Sequence, residues 1–179
     1  GTSQRSMVGG AVVVFNQPVS WDVADAMLVC NSRILHGQNS ATPGNRCGSA
    51  RVPANSAIYV VAADNPSHDG RTYVVSFAGP NMIGGSLPDG RFTLTIPAAS
   101  VTDSSGVSMS TDFAVSFYRL FGDGDGDGDV DKLNRTQFTQ SLGSTQFQPA
   151  YRSFFDYDAS GRIDNTDKAA FNRNFNLSV

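Results

Sequence analysis

The chain contains no glutamate: all 16 of its acidic residues are aspartate. It has only two histidines, two cysteines and one tryptophan, and no Cys-x-x-Cys pair, so a zinc site finds few ligands. No apolar run is long. The longest, Ala11–Phe15 and Ala57–Ala63, are far too short to span a bilayer, which argues against membrane insertion. No charged-then-apolar leader follows Gly1, as expected of a mature protein or of a piece joined to upstream domains of a larger chain. There is no Gly-x-Ser-x-Gly, no His-Glu-x-x-His and no P-loop lysine motif, and the chain reads as a non-enzyme. Basic residues are scattered and the net charge is −3, so a nucleic-acid partner is not expected.

What is present is concentrated. Nine of the aspartates fall in two twelve-residue windows, 123–134 and 156–167. The rest of the chain carries seven Asp against eleven Lys or Arg. A local block of carboxylates repels itself and calls for a counter-ion.

Residues 1–118 are expected to be one β domain. Phe92, Leu94 and Ile96 alternate with Thr93 and Thr95. Tyr73, Val75 and Phe77 repeat the pattern, as do Phe113, Val115 and Phe117. Period-two alternation marks half-buried strands. Ala11–Phe15, Ala26–Cys30 and Ala57–Ala63 suit further strands. Turn signals stand between them at 16–18, 66–70, 88–90 and 103–106. About seven short strands at this spacing predict an antiparallel two-sheet sandwich. Cys30 and Cys47 would close the polar loop 31–46 with one disulfide worth roughly 3 kcal/mol; two reduced core thiols are the alternative. Trp21 is expected in the core rather than stacked on a sugar. His36, His68, Asp22 and Asp25 are expected at the surface. Arg33, Arg46 and Arg51 form at most a small basic patch for an acidic glycan.

This stretch resembles the bacterial Ig-like domains of surface proteins, through Val12–Pro18 (VVVFNQP), Ser86–Ile96 (SLPDGRFTLTI) and Val101–Val107 (VTDSSGV). The resemblance implies an Ig-like β-sandwich and an extracellular setting.

Residues 119–179 repeat internally with a period of 33. Asp123, Phe138 and Leu142 match Asp156, Phe171 and Phe175, and Phe121 matches Phe154. One unit used twice suggests pseudo-twofold packing. The DGDGDGD string has one register that puts glycine at the sharp turn of a twelve-residue calcium loop and an apolar residue two later. It starts at Asp123, with Gly128 at position 6 and Val130 at position 8. The expected ligands are Asp123, Asp125 and Asp127, the carbonyl of Asp129, Asp131 (often through water) and Asn134. The second loop starts at Asp156, with Gly161 and Ile163 at positions 6 and 8. Its expected ligands are Asp156, Asp158, Ser160, the Arg162 carbonyl, Asp164 and Asp167. Val130 and Ile163 are expected to bridge loop to loop.

Two Ca²⁺ would move the formal charge from −3 to about +1. Asn134 stands where an EF-hand has a bidentate acid, so the second loop is expected to be the more regular. Affinity should be of the extracellular order of about 10⁻⁴ M or somewhat tighter. Asn134-Arg-Thr136 also fits the N-glycosylation pattern, but a glycan there is incompatible with a ligand role.

A strand, not a helix, leads into the first loop. Two loop–helix units of this kind resemble dockerin domains, through Gly122–Asp131, Asp156–Asp167 and the apolar residues Phe138, Leu142, Phe171 and Phe175. The resemblance implies a small α domain of paired EF-hand loops over 119–179. It also implies a secreted or cell-surface location, and a protein or glycan partner as the alternative to a purely structural role. Positions 10 and 11, which hold a Ser/Thr-type pair in type I dockerins, are Lys132-Leu133 and Asn165-Thr166 here.

Overall fold

The computed structural model describes residues 4–32, 59–64, 68–79 and 82–179. The first part is built of β-strands, and two helices follow near the C-terminus. Strand β1 (Gly10–Val14) pairs antiparallel with β5 (Thr72–Ala78), which pairs on its other side with β4 (Tyr59–Asp64). Strands β3 (Met27–Ser32) and β8 (Phe113–Arg119) flank β6 (Gly90–Ile96) in a second antiparallel sheet. Two short strands missed by the periodicity, β2 (Val19–Trp21) and β7 (Val101–Asp103), form a separate ribbon. Three residues give too few alternations to be read as a strand.

Alternation decides what each sheet buries. Phe92, Leu94 and Ile96 of β6 meet Val75 and Phe77 of β5 in one core that also holds Trp21, Leu87 and Val101. Trp21 is packed there against Phe15 and Tyr73, as expected. The pattern on β8 is only partly realised. Phe117 stacks on Phe77 and Phe92, but Phe113 and Val115 are 49% and 41% exposed. Among the described residues β8 is an edge strand, and of its three alternating residues only Phe117 packs against the first core. Cys30 is half-buried on β3. Cys47, His36, Arg33, Arg46 and Arg51 lie outside the described residues, while Asp22, Asp25 and His68 are exposed.

A second core gathers Leu120, Phe121, Val130, Phe138, Phe155, Ile163 and Phe171. Helices α1 (Lys132–Ser141) and α2 (Asn165–Asn174) contribute Phe138 and Phe171, stacked at 4.6 Å. Each helix opens with a capping box. Asp131 accepts from Leu133 N and Asn134 N, and Asn134 Oδ1 accepts from Asp131 N. Asp164 accepts from Thr166 N, and Asp167 Oδ2 accepts from Asp164 N. The 33-residue period therefore runs through caps as well as core. It weakens at Leu142 and Phe175, which are C-caps past the last helical residues. Leu142 is exposed, and Phe175 lies under the Arg135 guanidinium.

The predicted bridge between Val130 and Ile163 does not form. Val130 N donates to Leu177 O and Asn176 N to Val130 O. In the same way, Ile163 N donates to Ser144 O and Gly143 N to Ile163 O. Each loop is thus paired with the segment that follows the other unit's helix. A ten-residue helix carries the chain about 15 Å, which returns each exit segment beside the opposite loop. Val179 N also donates to Gly128 O. Deleting residues 176–179 is therefore expected to weaken ion binding at the first loop at least tenfold while sparing the second more. Site-resolved NMR titration checks this.

The two cores are bolted together by a buried polar hub. Arg119 is fully buried, and its Nη1 meets Asp89 Oδ1 at 2.7 Å. Asp89 also accepts from Phe121 N and Asn174 Nδ2. Residues 4–8 run across the junction as a strap. Arg5 N donates to Asp123 O, Leu120 N to Arg5 O, Gly122 N to Ser6 Oγ, and Leu87 N to Val8 O.

Candidate metal centres

The structure brings Asp123, Asp125 and Asp127 together, with one carboxylate oxygen from each within 4.8 Å of the others. Asp156, Asp158 and Asp167 converge in the same way. The loops fold so because glycines at position 6 take the left-handed turn, Gly128 at φ +101° and Gly161 at φ +80°. Their N–H groups then point back to the first aspartate: Gly128 N donates to Asp123 Oδ2, and Gly161 N to Asp156 Oδ2. Both first-position aspartates are buried.

Other expected ligands stand around these clusters. Asp131 and Asp164 each give one oxygen to a helix cap. Ser160 Oγ lies 3.3 Å from the Arg162 carbonyl. Asp129 is half-buried, and among the described residues no donor bonds its Oδ1. Asn134 is fully buried and donates from Nδ2 to Asp125 Oδ1 at 3.0 Å. That burial is incompatible with a glycan on its amide.

The first loop has an amide donor where the second has a carboxylate. Asp167 Oδ1 accepts from Tyr157 N, whereas the Asn134 amide ties back Asp125. Replacing Asn134 by Asp is expected to tighten ion binding at the first loop about tenfold. It should also lower metal-free stability, because two carboxylates would then face each other. Calorimetry with and without the ion reads both effects.

The electrostatics fit a hard divalent cation. Among the described residues no ion pair involves any of the six clustered aspartates. Burial pushes the carboxyl of Asp123 above its ordinary value, partly offset by the hydrogen bond from Tyr118. Burial likewise raises Asp167, against hydrogen bonds from Asp164 N and Tyr157 N. Asp129 is raised by burial and by the charge of Asp127. The donors are all oxygen, the set calcium takes and softer metals do not require. Among the described residues, the side-chain oxygens Asp129 Oδ1 and Gln137 Oε1 are buried without a hydrogen-bond partner; neither belongs to the expected ligand set, which takes Asp129 through its carbonyl.

Two tyrosines escaped the sequence reading. Tyr118 OH donates to Asp123 Oδ2 at 2.8 Å, and Tyr151 OH to Asp156 Oδ2 at 2.6 Å. Burial, then the bonded aspartate, pushes Tyr118 well above the usual phenol range and Tyr151 up to about 12. The signal was available. Tyr-Arg-x-Phe-x-Asp occurs at 118–123 and again at 151–156, three residues upstream of the matched Phe121 and Phe154.

Neither a family model nor a curated protein sequence matches the chain. Among solved structures, a chain of a type II cohesin–X–dockerin complex from Acetivibrio cellulolyticus, an N-terminal interface mutant, is similar at 15% identity. The match covers 60% of this chain and 70% of that chain, with a TM-score of 0.29. A likeness at that score carries no argument about fold or partner. Among the described residues no helix is long and apolar enough to cross a membrane.

Proposed function

We propose that residues 119–179 are a dockerin-like pair of EF-hand-type loops that bind two Ca²⁺, packed on an Ig-like sandwich formed by residues 1–118. The protein is then a non-catalytic, calcium-stabilised module of a secreted or cell-surface protein. The observation that carries this reading is repetition. Aspartates at loop positions 1 and 3, a left-handed glycine at position 6 and a capping box occur twice, 33 residues apart, and a third carboxylate joins each cluster, Asp127 from position 5 and Asp167 from position 12. An Asp/Gly linker has no reason to repeat all three.

The first ion takes Asp123, Asp125 and Asp127, the carbonyl of Asp129, Asp131 and Asn134. The second takes Asp156, Asp158, Ser160, the Arg162 carbonyl, Asp164 and Asp167. Calcium neutralises carboxylates that the fold buries without basic partners. A unit of about 60 residues with one small core commonly depends on such a staple. Calorimetric titration of the full chain is expected to give two ions per chain; no heat at millimolar calcium would refute the reading.

A second reading adds a docking role toward a cohesin-type protein partner. Lys132, Leu133, Asn165 and Thr166 at loop positions 10 and 11 are exposed, and Phe147 is 89% exposed. Pull-down against immobilised cohesin with and without Leu133→Asp separates the two readings.

A further inference from the structure

We propose that Tyr118 and Tyr151 are positioning residues for the two ion sites, each fixing which carboxylate oxygen of the first-position aspartate is left to face the ion. The inference rests on the calcium reading above and deepens it.

A carboxylate offers about four lone-pair sites, two on each oxygen. Asp123 Oδ2 accepts from both Tyr118 OH (2.8 Å) and Gly128 N (3.2 Å), while Oδ1 accepts from Gly126 N alone (2.6 Å). Asp156 repeats the arrangement. Its Oδ2 accepts from Tyr151 OH (2.6 Å) and Gly161 N (2.8 Å), and its Oδ1 from Ser160 N (3.0 Å). In both loops Oδ2 is filled and Oδ1 keeps one open site. The glycine amide belongs to the loop itself. The phenol comes from outside it, five residues upstream: from β8 in one unit and from the segment before the 3-10 turn Ser153–Phe155 in the other. In both units the aspartate N–H closes the same turn, Asp123 N to Leu120 O and Asp156 N to Ser153 O, and this turn brings the tyrosine five residues upstream to the same carboxylate oxygen.

Without the phenol a buried carboxylate loses its external anchor and rotates more freely, so the ion must order it on binding. Partners of this outer kind typically contribute about 10–100-fold in metal affinity.

The test uses the full chain and calcium itself, with the amides of Gly128 and Gly161 followed by NMR as reporters of each loop. Tyr118→Phe is expected to raise the Kd read at Gly128 about tenfold or more and to move Gly161 less than threefold. Tyr151→Phe is expected to do the reverse. Tyr73→Phe, whose hydroxyl bonds Val19 O far from both loops, is expected to move neither. A purely structural tyrosine would lower the metal-free melting temperature and leave both Kd values in place. That result, or equal weakening at both reporters, overturns the proposal while the calcium reading stands. If the unaltered protein shows no calcium response at either glycine, the calcium reading falls and this inference with it.

Discussion

Replacing Asp89 by alanine is expected to cost the folded protein about 3–5 kcal/mol. Arg119 is fully buried, and Asp89 is the carboxylate that meets it, at 2.7 Å. The guanidinium has other neighbours: Ser6 O accepts from Nε, and the Phe121 and Tyr157 rings lie near the charged carbon. None of them carries a compensating charge. Losing the carboxylate also strips Phe121 N and Asn174 Nδ2 of an acceptor. These donors come from the entry to the first loop and from the end of α2, so the damage should fall on the junction between the two cores. The double variant Asp89→Leu/Arg119→Met should recover part of the loss, since it removes the buried charge, but not all of it. Urea denaturation followed by Trp21 fluorescence measures the totals. A loss below about 1 kcal/mol for the single variant would show that the junction contributes little.

Removing calcium is expected to have an effect at least as large. An ion present at a hundred times its Kd stabilises the folded state by about 2.7 kcal/mol per site. For two sites in a small unit this corresponds to a fall in melting temperature of roughly 20 °C or more on chelation. The response to pH should then reverse. In the metal-free protein burial holds Asp123 and Asp167 above the ordinary carboxylate value of 3.8. A carboxyl whose pKa is higher folded than unfolded binds more protons in the folded state. Its contribution is complete below 3.8 and is lost as pH rises through the folded-state value. Protein freed of metal over a chelating resin should therefore lose stability as pH climbs from about 4 toward neutrality. The calcium-loaded protein should gain over the same window, because the ion takes only deprotonated ligands. Parallel curves with and without calcium would contradict this.

The strands whose side chains alternate over five or more residues, β5 and β6, were legible because one face is buried along their whole length. The ribbon of β2 and β7 was not, because three residues carry no period. Edge strand β8 showed its pattern, but its first half lacks the cover that the pattern implies. In the second half two constraints, on Gly128 and Val130, choose the expected loop register, and Asp123, Asp125 and Asp127 lie close together, as do Asp156, Asp158 and Asp167. The partner of Val130 was misjudged. Its amide pairs with Leu177, across a crossed arrangement that depends on where a helix returns the chain, and residue spacing does not encode that direction. The junction has no sequence signature. Nothing in the sequence distinguishes Asp89 in a Pro-Asp-Gly turn from an ordinary turn residue, yet it holds Arg119, Phe121 and Asn174 together. Tyr118 and Tyr151 belong to the same 33-residue repeat, five residues upstream of each loop.

A crystal grown in millimolar calcium, with anomalous scattering recorded at long wavelength, addresses the central point directly. Two peaks are expected, one among Asp123, Asp125 and Asp127 and one among Asp156, Asp158 and Asp167. Both clusters free of anomalous signal, with their carboxylates turned to solvent or to lysine and arginine, would contradict the account.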